Sequence, residues 1–159
     1  MERVKQYVAL HQKLENTLPK LPKDATPQQL DKNQRALLEL IARARRGAVR
    51  GALFAPDMEK YVLNMLKKVF SAPDGPALRA SVMDENPMGV QFGVNYRYPD
   101  QVPLTTMPPE VLGALPKLPE ELEYRFVSDR LILLDPHAHL VADYIDHALP
   151  PAGPSRGRR

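Results

Sequence analysis

The strongest strand signal in the chain reads LEYRFVSDRLILLDPHAHLVADYI and covers residues 122–145. Turn-forming residues divide it into three strand-like runs, at 122–127, 131–134 and 140–145. The middle run is apolar on both faces, which is typical of a central strand. The tripeptide SDR after the first run favours a tight turn, and Asp135-Pro136 breaks the chain after the second run. Because such short connections join antiparallel neighbours, the stretch predicts an antiparallel sheet.

A further strand is predicted upstream, from Val90 to Tyr96. Val90, Phe92, Val94 and Tyr96 alternate with polar or small residues, and Pro99 follows shortly after. A period of two is typical of a strand with one buried face. The sheet is therefore expected to have about four strands.

Helices are predicted before residue 87, where apolar residues recur every three or four positions. Their expected bounds are 3–18, Pro27 to about Arg46, Pro56 to about Phe70, and Gly75 to about Met83. Thr26 and Gln29 form a capping box, and Pro27 suits the first helical position. A loop of about seven residues between the first two helices favours an antiparallel helical hairpin. Pro109 also suits a first helical position and allows a short helix at 109–115.

These elements describe an α+β protein with an N-terminal helical hairpin and two further helices, followed by a small antiparallel sheet. We expect a helical region over residues 1–86 and a β region over residues 87–149. Residues 150–159 are rich in Pro, Gly and Arg and are predicted to be a disordered tail.

The composition of the chain argues against several classes of site and partner. The chain has no cysteine, which excludes disulfides, thiolate catalysis and zinc–thiolate sites. It has no Trp, and its net charge of +3 comes from basic and acidic residues that are mixed along most of the chain, which argues against a nucleic-acid partner. No apolar run approaches the ~20 residues of a transmembrane helix.

Sequence signatures of catalysis are also missing. The chain contains no G-x-S-x-G, no H-E-x-x-H and no phosphate-binding glycine loop. We therefore expect a protein that is not an enzyme and needs no cofactor. A small hydrolase with dispersed acidic residues is the enzymatic alternative, and it would need paired carboxylates in a pocket.

Several segments resemble a group of uncharacterised bacterial exported proteins. They are LFAPDMEKYV at 53–62, SVMDENP at 81–87, LPEELEYRF at 118–126, and LILLD followed by LVADY within 131–144. This resemblance implies a periplasmic or otherwise exported location. Glu2 and Arg3 are not typical of a signal peptide, so the expectation of export rests on the resemblance alone.

The C-terminal strands are also similar, more weakly, to the small β-module of RcnB-type periplasmic nickel/cobalt-homeostasis proteins. In that module the first strand normally carries a Trp, and here Tyr124 or Phe126 holds the position. The similarity implies a β-hairpin module, and no metal site is carried over from it.

Two groups of residues are candidates for partner binding. Four arginines, Arg43, Arg45, Arg46 and Arg50, lie near the end of the second predicted helix, where the helix dipole favours cations. The dipole alone explains them, and the sharper interpretation is docking to an anionic membrane surface or an acidic protein. At the end of the 90–96 strand, Arg97 and Tyr98 belong to a polar, aromatic surface, on which Arg97 could bind a carboxylate or phosphate through two hydrogen bonds. The plainer interpretation is a strand end with Tyr98 covering the core.

Asp135, His137 and His139 form a D-x-H-x-H pattern that is a candidate metal site. On a strand the two histidines would face the same side and could chelate a divalent ion. Two further residues could complete the shell, Asp143 and His147. The alternative is a turn at Pro136 with solvated histidines.

His11 lies on the apolar stripe of the first helix and is interpreted as a satisfied core or interface histidine rather than a base, since we expect no Ser or acid partner at a matching spacing. Taken together, the sequence favours a non-enzymatic binding or accessory protein outside the cytoplasm, docked on a larger assembly. The alternatives are a periplasmic metal-ion binding or homeostasis protein and the small hydrolase.

Overall fold

The structure, a computed structural model, describes residues 1–84 and 86–151. Its elements in chain order are α1 (Glu2–Glu15), α2 (Pro27–Ala44), α3 (Pro56–Ser71), α4 (Gly75–Met83), α5 (Pro109–Ala114), β1 (Glu123–Val127), β2 (Arg130–Asp135) and β3 (Leu140–Ile145). The strands form one antiparallel sheet in the order β1-β2-β3. The predicted α+β class is confirmed. Residues 152–159 of the predicted tail lie outside the described residues.

The described residues contain five helices, one more than the hairpin and two further helices of the predicted fold class, because the segment after Pro109 is helical as well. The capping box is confirmed. Thr26 Oγ1 accepts the backbone N–H of Gln29 at 3.1 Å, and Gln29 Oε1 accepts the backbone N–H of Thr26 at 2.8 Å. No helix in the described residues is long and apolar enough to cross a bilayer.

The expectation of about four strands is corrected to three, because residues 90–96 do not form a strand. Asn95 has a φ of 70°, a left-handed conformation that interrupts extended backbone. The segment still lies along the outer edge of β3. Asn95 donates its N–H to the carbonyl of Val141 at 2.8 Å, and Val141 donates to the carbonyl of Tyr96 at 2.9 Å. The alternation of apolar residues here indicates a partly buried segment that covers one face of the sheet, rather than a regularly paired strand. We call residues 90–98 the covering segment.

The central strand β2 is buried on both faces, as its apolar sequence predicts. Leu131 and Leu133 belong to the main core with the helices. Ile132 and Leu134 belong to a second cluster, which is completed by Tyr98 from the covering segment. The sheet is therefore enclosed between the helices and the segment that precedes α5. The main core contains residues from both the helical region and the β region.

Asp143 of β3 fastens the loop between α2 and α3 to the sheet. Its carboxylate is fully buried and accepts four backbone N–H groups. These come from Gly51 at 2.9 Å, Leu53 at 2.9 Å, Phe54 at 2.8 Å and Tyr144 at 2.8 Å. Because all of its acceptor positions are used, Asp143 is a structural residue and is not available to complete a metal shell.

We expect Asp143→Asn to lower the free energy of unfolding by roughly 2–4 kcal/mol, because the amide cannot accept the same N–H groups and leaves some of them buried without a partner. Urea denaturation followed by circular dichroism measures the change. Asp146→Asn is the matched control, since the partly exposed Asp146 pairs with surface arginines. This substitution should cost about 0.5 kcal/mol. Equal losses for the two variants would contradict the role given to Asp143.

Candidate metal centre

Tyr7, His11 and Glu15 lie four residues apart on α1 and therefore share one face of that helix. This face packs against the turn between β2 and β3. His11 is fully buried there, as expected of a histidine on an apolar stripe. Its spacing to Glu15 is that of neighbouring side chains on a helix, so an acid partner for His11 is present in the sequence after all.

Asp135 ends β2 and is fully buried. Its Oδ2 accepts the hydroxyl of Tyr7 at 2.7 Å and lies 2.5 Å from Nδ1 of His11. Its Oδ1 accepts the backbone N–H groups of His137 at 3.0 Å and Ala138 at 3.2 Å, which is how an aspartate stabilises a turn that it begins. One carboxylate thus joins α1 to the β2–β3 turn.

Glu15 continues this chain of contacts toward solvent. Its Oε1 lies 3.2 Å from Nε2 of His11, and its Oε2 lies 2.9 Å from Nδ1 of His137. The rings of His11 and His137 are 5.1 Å apart between centroids. Exposure rises along the series, from 0% for the side chain of His11 to 36% for Glu15 and 44% for His137. The cluster therefore has a fixed inner end and an accessible outer end.

The electrostatics favour protons on Tyr7 and His11 in the absence of a bound cation. Burial, the largest single effect, lowers the pKa of His11, but the hydrogen bond to Asp135 and the charges of Asp135 and Glu15 together raise it above its ordinary value. Burial, followed by the charge of Asp135, raises the pKa of the Tyr7 hydroxyl well above its usual range. Tyr7 is therefore a permanent hydrogen-bond donor to Asp135.

Three side chains of this cluster could hold a metal ion: His11, Glu15 and His137. One ligand atom from each lies within 4.8 Å of the others. In a tetrahedral site with bonds of about 2.0–2.1 Å, ligand atoms are separated by roughly 3.3 Å, so the outer side chains would move inward by rotamer changes. With Nδ1–H donated to Asp135, loss of the proton from Nε2 of His11 would leave a lone pair directed at Glu15, where a cation could bind. A carboxylate behind a ligating imidazole is the usual support of such a ligand.

The predicted D-x-H-x-H site is corrected in two positions. Asp135 is not free to ligate a metal, since its oxygens already accept four contacts. His139 is turned away, with a φ of 53° and its ring edge-on to Tyr98 at 5.5 Å between centroids. Burial, followed by the charge of Arg97, lowers the pKa of His139. The two histidines do not face one side because residues 136–139 form a turn, the alternative that Pro136 suggested. Of the three residues in the D-x-H-x-H pattern, His137 is the one that lies in the candidate cluster.

The predicted partner-binding residues divide into two groups. Tyr98 is fully buried and donates its hydroxyl to the carbonyl of Pro103 at 3.1 Å. Arg97 donates to Asp100 at 3.0 Å and to Gln34 at 2.8 Å. The expectation that Tyr98 and Arg97 offer a free surface is therefore corrected.

Arg45 is likewise turned inward. It donates to Asn95 at 2.7 Å and to the carbonyl of Ala142 at 3.0 Å. The remaining three arginines of the predicted basic group are exposed: Arg43, Arg46 and Arg50.

Several cavities lie away from this cluster. One of them, about 610 Å³, lies between α5 and β1 and is lined by Leu112, Leu118 and Tyr124 among others. Another, about 480 Å³, has Asp84 and Glu110 in its lining. These are the carboxylates that the hydrolase alternative would require in a pocket, and that alternative stays a prediction.

We expect Tyr7→Phe to lower the free energy of unfolding by about 1–2 kcal/mol, because the buried carboxylate of Asp135 loses one donor and gains none. Chemical denaturation measures the effect. Tyr61→Phe serves as the matched control, since Tyr61 is half exposed and should change stability by less than about 0.5 kcal/mol. A Tyr7→Phe protein as stable as the control would show that the hydroxyl is not a needed partner of Asp135.

Comparison with known proteins found no matching family model, no matching curated protein and no matching solved structure. The resemblance to exported proteins and to RcnB-type proteins therefore stays a prediction from the sequence.

Proposed function

We propose that this protein binds a divalent transition-metal ion through His11, Glu15 and His137, as a binding protein rather than an enzyme. The observation that carries the proposal is the position of Glu15 between the two imidazoles, with Oε1 3.2 Å from His11 and Oε2 2.9 Å from His137. A cation placed among these groups would replace the protons that now join them. The sequence analysis gave metal binding as an alternative function, with Asp135, His137 and His139 as ligands. The ligands proposed here differ from that set, apart from His137.

The ligand types support a choice of ion. Imidazole nitrogen suits Zn²⁺, Ni²⁺ and Cu²⁺, whereas Ca²⁺ and Mg²⁺ prefer shells made of oxygen. The chain has no cysteine, so it lacks the thiolates that favour Cu⁺. Three protein ligands leave one position of a tetrahedral shell for water or for an outside ligand. Such a site can both load and release an ion.

Burial at the inner end supports affinity. His11 is held by Asp135 before any ion arrives, so little conformational freedom of this ligand is lost on binding. Glu15 and His137 are partly exposed and form the entry side. Because His11 and Glu15 belong to α1 while His137 belongs to the β2–β3 turn, a bound ion would link helix to sheet and stabilise the folded protein by mass action.

A periplasmic or otherwise exported location belongs to the same proposal and rests on the sequence resemblance alone. An accessory role on a larger assembly stays a prediction.

The test is calorimetric titration of the full chain, stripped with a chelator and carrying no histidine tag, with Zn²⁺, Ni²⁺ and Cu²⁺ in turn. We expect micromolar or tighter binding of one ion per chain with at least one of these metals. His137→Ala and Glu15→Gln should each weaken it by roughly tenfold or more, because each removes one of three ligands.

His147→Ala is the matched control, since the side chain of His147 is 89% exposed and pairs with the surface carboxylate of Asp129. It should bind the metal as the unchanged protein does. The proposal fails if none of the three ions gives heat or raises the melting temperature. It also fails if His137→Ala binds as tightly as the His147→Ala control.

A further inference from the structure

The loop between α2 and α3 is fastened to the sheet at its base. Gly51 donates its N–H to the buried carboxylate of Asp143 at 2.9 Å. At the start of the loop, Arg45 donates to the carbonyl of Ala142 at 3.0 Å. Ala52 donates to the carbonyl of Val49 at 3.0 Å, which closes a turn around the tip. The tip is therefore presented by a fixed support.

Two apolar or aromatic side chains are exposed at this end of the molecule. Val49, at the tip of the loop, is 71% exposed, the highest value among the large apolar residues of the described chain. Tyr96 is 62% exposed. It is adjacent to this loop because its neighbour Asn95 donates to the carbonyl of Arg45 at 3.0 Å. Neither side chain contributes to the core, so folding does not explain its position.

Several arginines lie in this loop or next to it. Arg43 and Arg46, at the end of α2, are exposed and make no ion pair within residues 1–84 and 86–151. Arg3 reaches the loop from α1 and donates to the carbonyl of Gly51 at 2.9 Å. Arg50 is exposed and pairs with surface acids, Glu59 at 3.1 Å among them. We call the following set the Val49 surface: Arg3, Arg43, Arg46, Val49, Arg50 and Tyr96.

We propose that the Val49 surface docks on an anionic phospholipid bilayer, with Val49 and Tyr96 at the level of the headgroups and the arginines over lipid phosphates. Exposed apolar and aromatic residues that share a surface with cations are typical of proteins that lie on a membrane surface. A fluid interface receives a protruding side chain without needing a matching shape. A folded protein partner would instead need an extended complementary surface, and this loop tip is small.

The charge supports the same partner. Each Lys or Arg close to an anionic bilayer strengthens binding about fivefold, so several together give measurable but reversible docking. The arrangement leaves the candidate metal centre accessible. Arg3 and His11 are eight residues apart on α1, about 12 Å along the helix axis. The proposal does not depend on metal binding.

The test is co-sedimentation of the full chain with vesicles of phosphatidylcholine alone and with vesicles that also contain phosphatidylglycerol. At low ionic strength we expect binding only to the anionic vesicles, with release at about 0.5 M salt. The double variant Arg43→Glu with Arg46→Glu should bind at least about twentyfold more weakly. Val49→Asp should also weaken binding, because it places a carboxylate against lipid phosphates.

Two matched controls separate this surface from charge in general. Lys67→Glu with Lys68→Glu makes the same change in net charge on the exposed side of α3, and Met88→Asp changes another exposed apolar residue, 66% exposed. Both should bind vesicles nearly as the unchanged protein does. Absence of binding to anionic vesicles, or equal losses in the controls, overturns the proposal. Binding to DNA or to an acidic polypeptide that depends on Arg43 and Arg46, without binding to vesicles, would also overturn it.

Discussion

A carboxylate buried at the end of a strand has to be satisfied by hydrogen-bond donors, and Asp135 draws its donors from two distant parts of the chain. Tyr7 and His11 come from α1, and the backbone of the following turn supplies the others. Leaving such a group without partners would cost several kcal/mol. The position of α1 against the sheet is therefore set by a polar contact as well as by apolar packing. Asp143 does the same for the loop after α2.

Local signals in the sequence were enough for the helices and for the hairpins of the sheet. Thr26 caps its helix, prolines stand at the first helical positions, and the SDR turn joins β1 to β2, all through contacts within a few residues. The failure at residues 90–96 has a physical cause. Alternating apolar residues report one buried face, and they do not report whether the backbone pairs regularly. The left-handed conformation of Asn95 interrupts regular pairing here. Asn adopts both left-handed and extended backbone, so its presence in the sequence does not show which of the two occurs.

The candidate centre could be predicted from the sequence only in part, and for a different reason. Its two halves are more than a hundred residues apart, since Asp135 lies 124 positions from His11. Spacing along the chain shows that His11 and Glu15 share a helical face, and that His137 lies near a turn. It does not show that the helix and the turn meet. The sequence therefore contains every residue of the candidate centre and no sign of which of them converge, and the predicted His139 lies apart from that cluster.

Neighbouring residues of the same type have different roles in this structure. Some use their hydrogen-bonding groups inside the fold, and others keep these groups at the surface, where a ligand can reach them. Arg45 is committed to Asn95 and Ala142, whereas the adjacent Arg46 faces solvent with no ion pair in the described chain. His139 packs against Tyr98, whereas Nδ1 of His137 lies against the partly exposed carboxylate of Glu15. A group whose bonding capacity is used inside the fold has little left for a ligand. Surface groups with unused hydrogen-bond donors or acceptors can bind a ligand without disturbing the core, particularly where the adjacent backbone is held by buried hydrogen bonds.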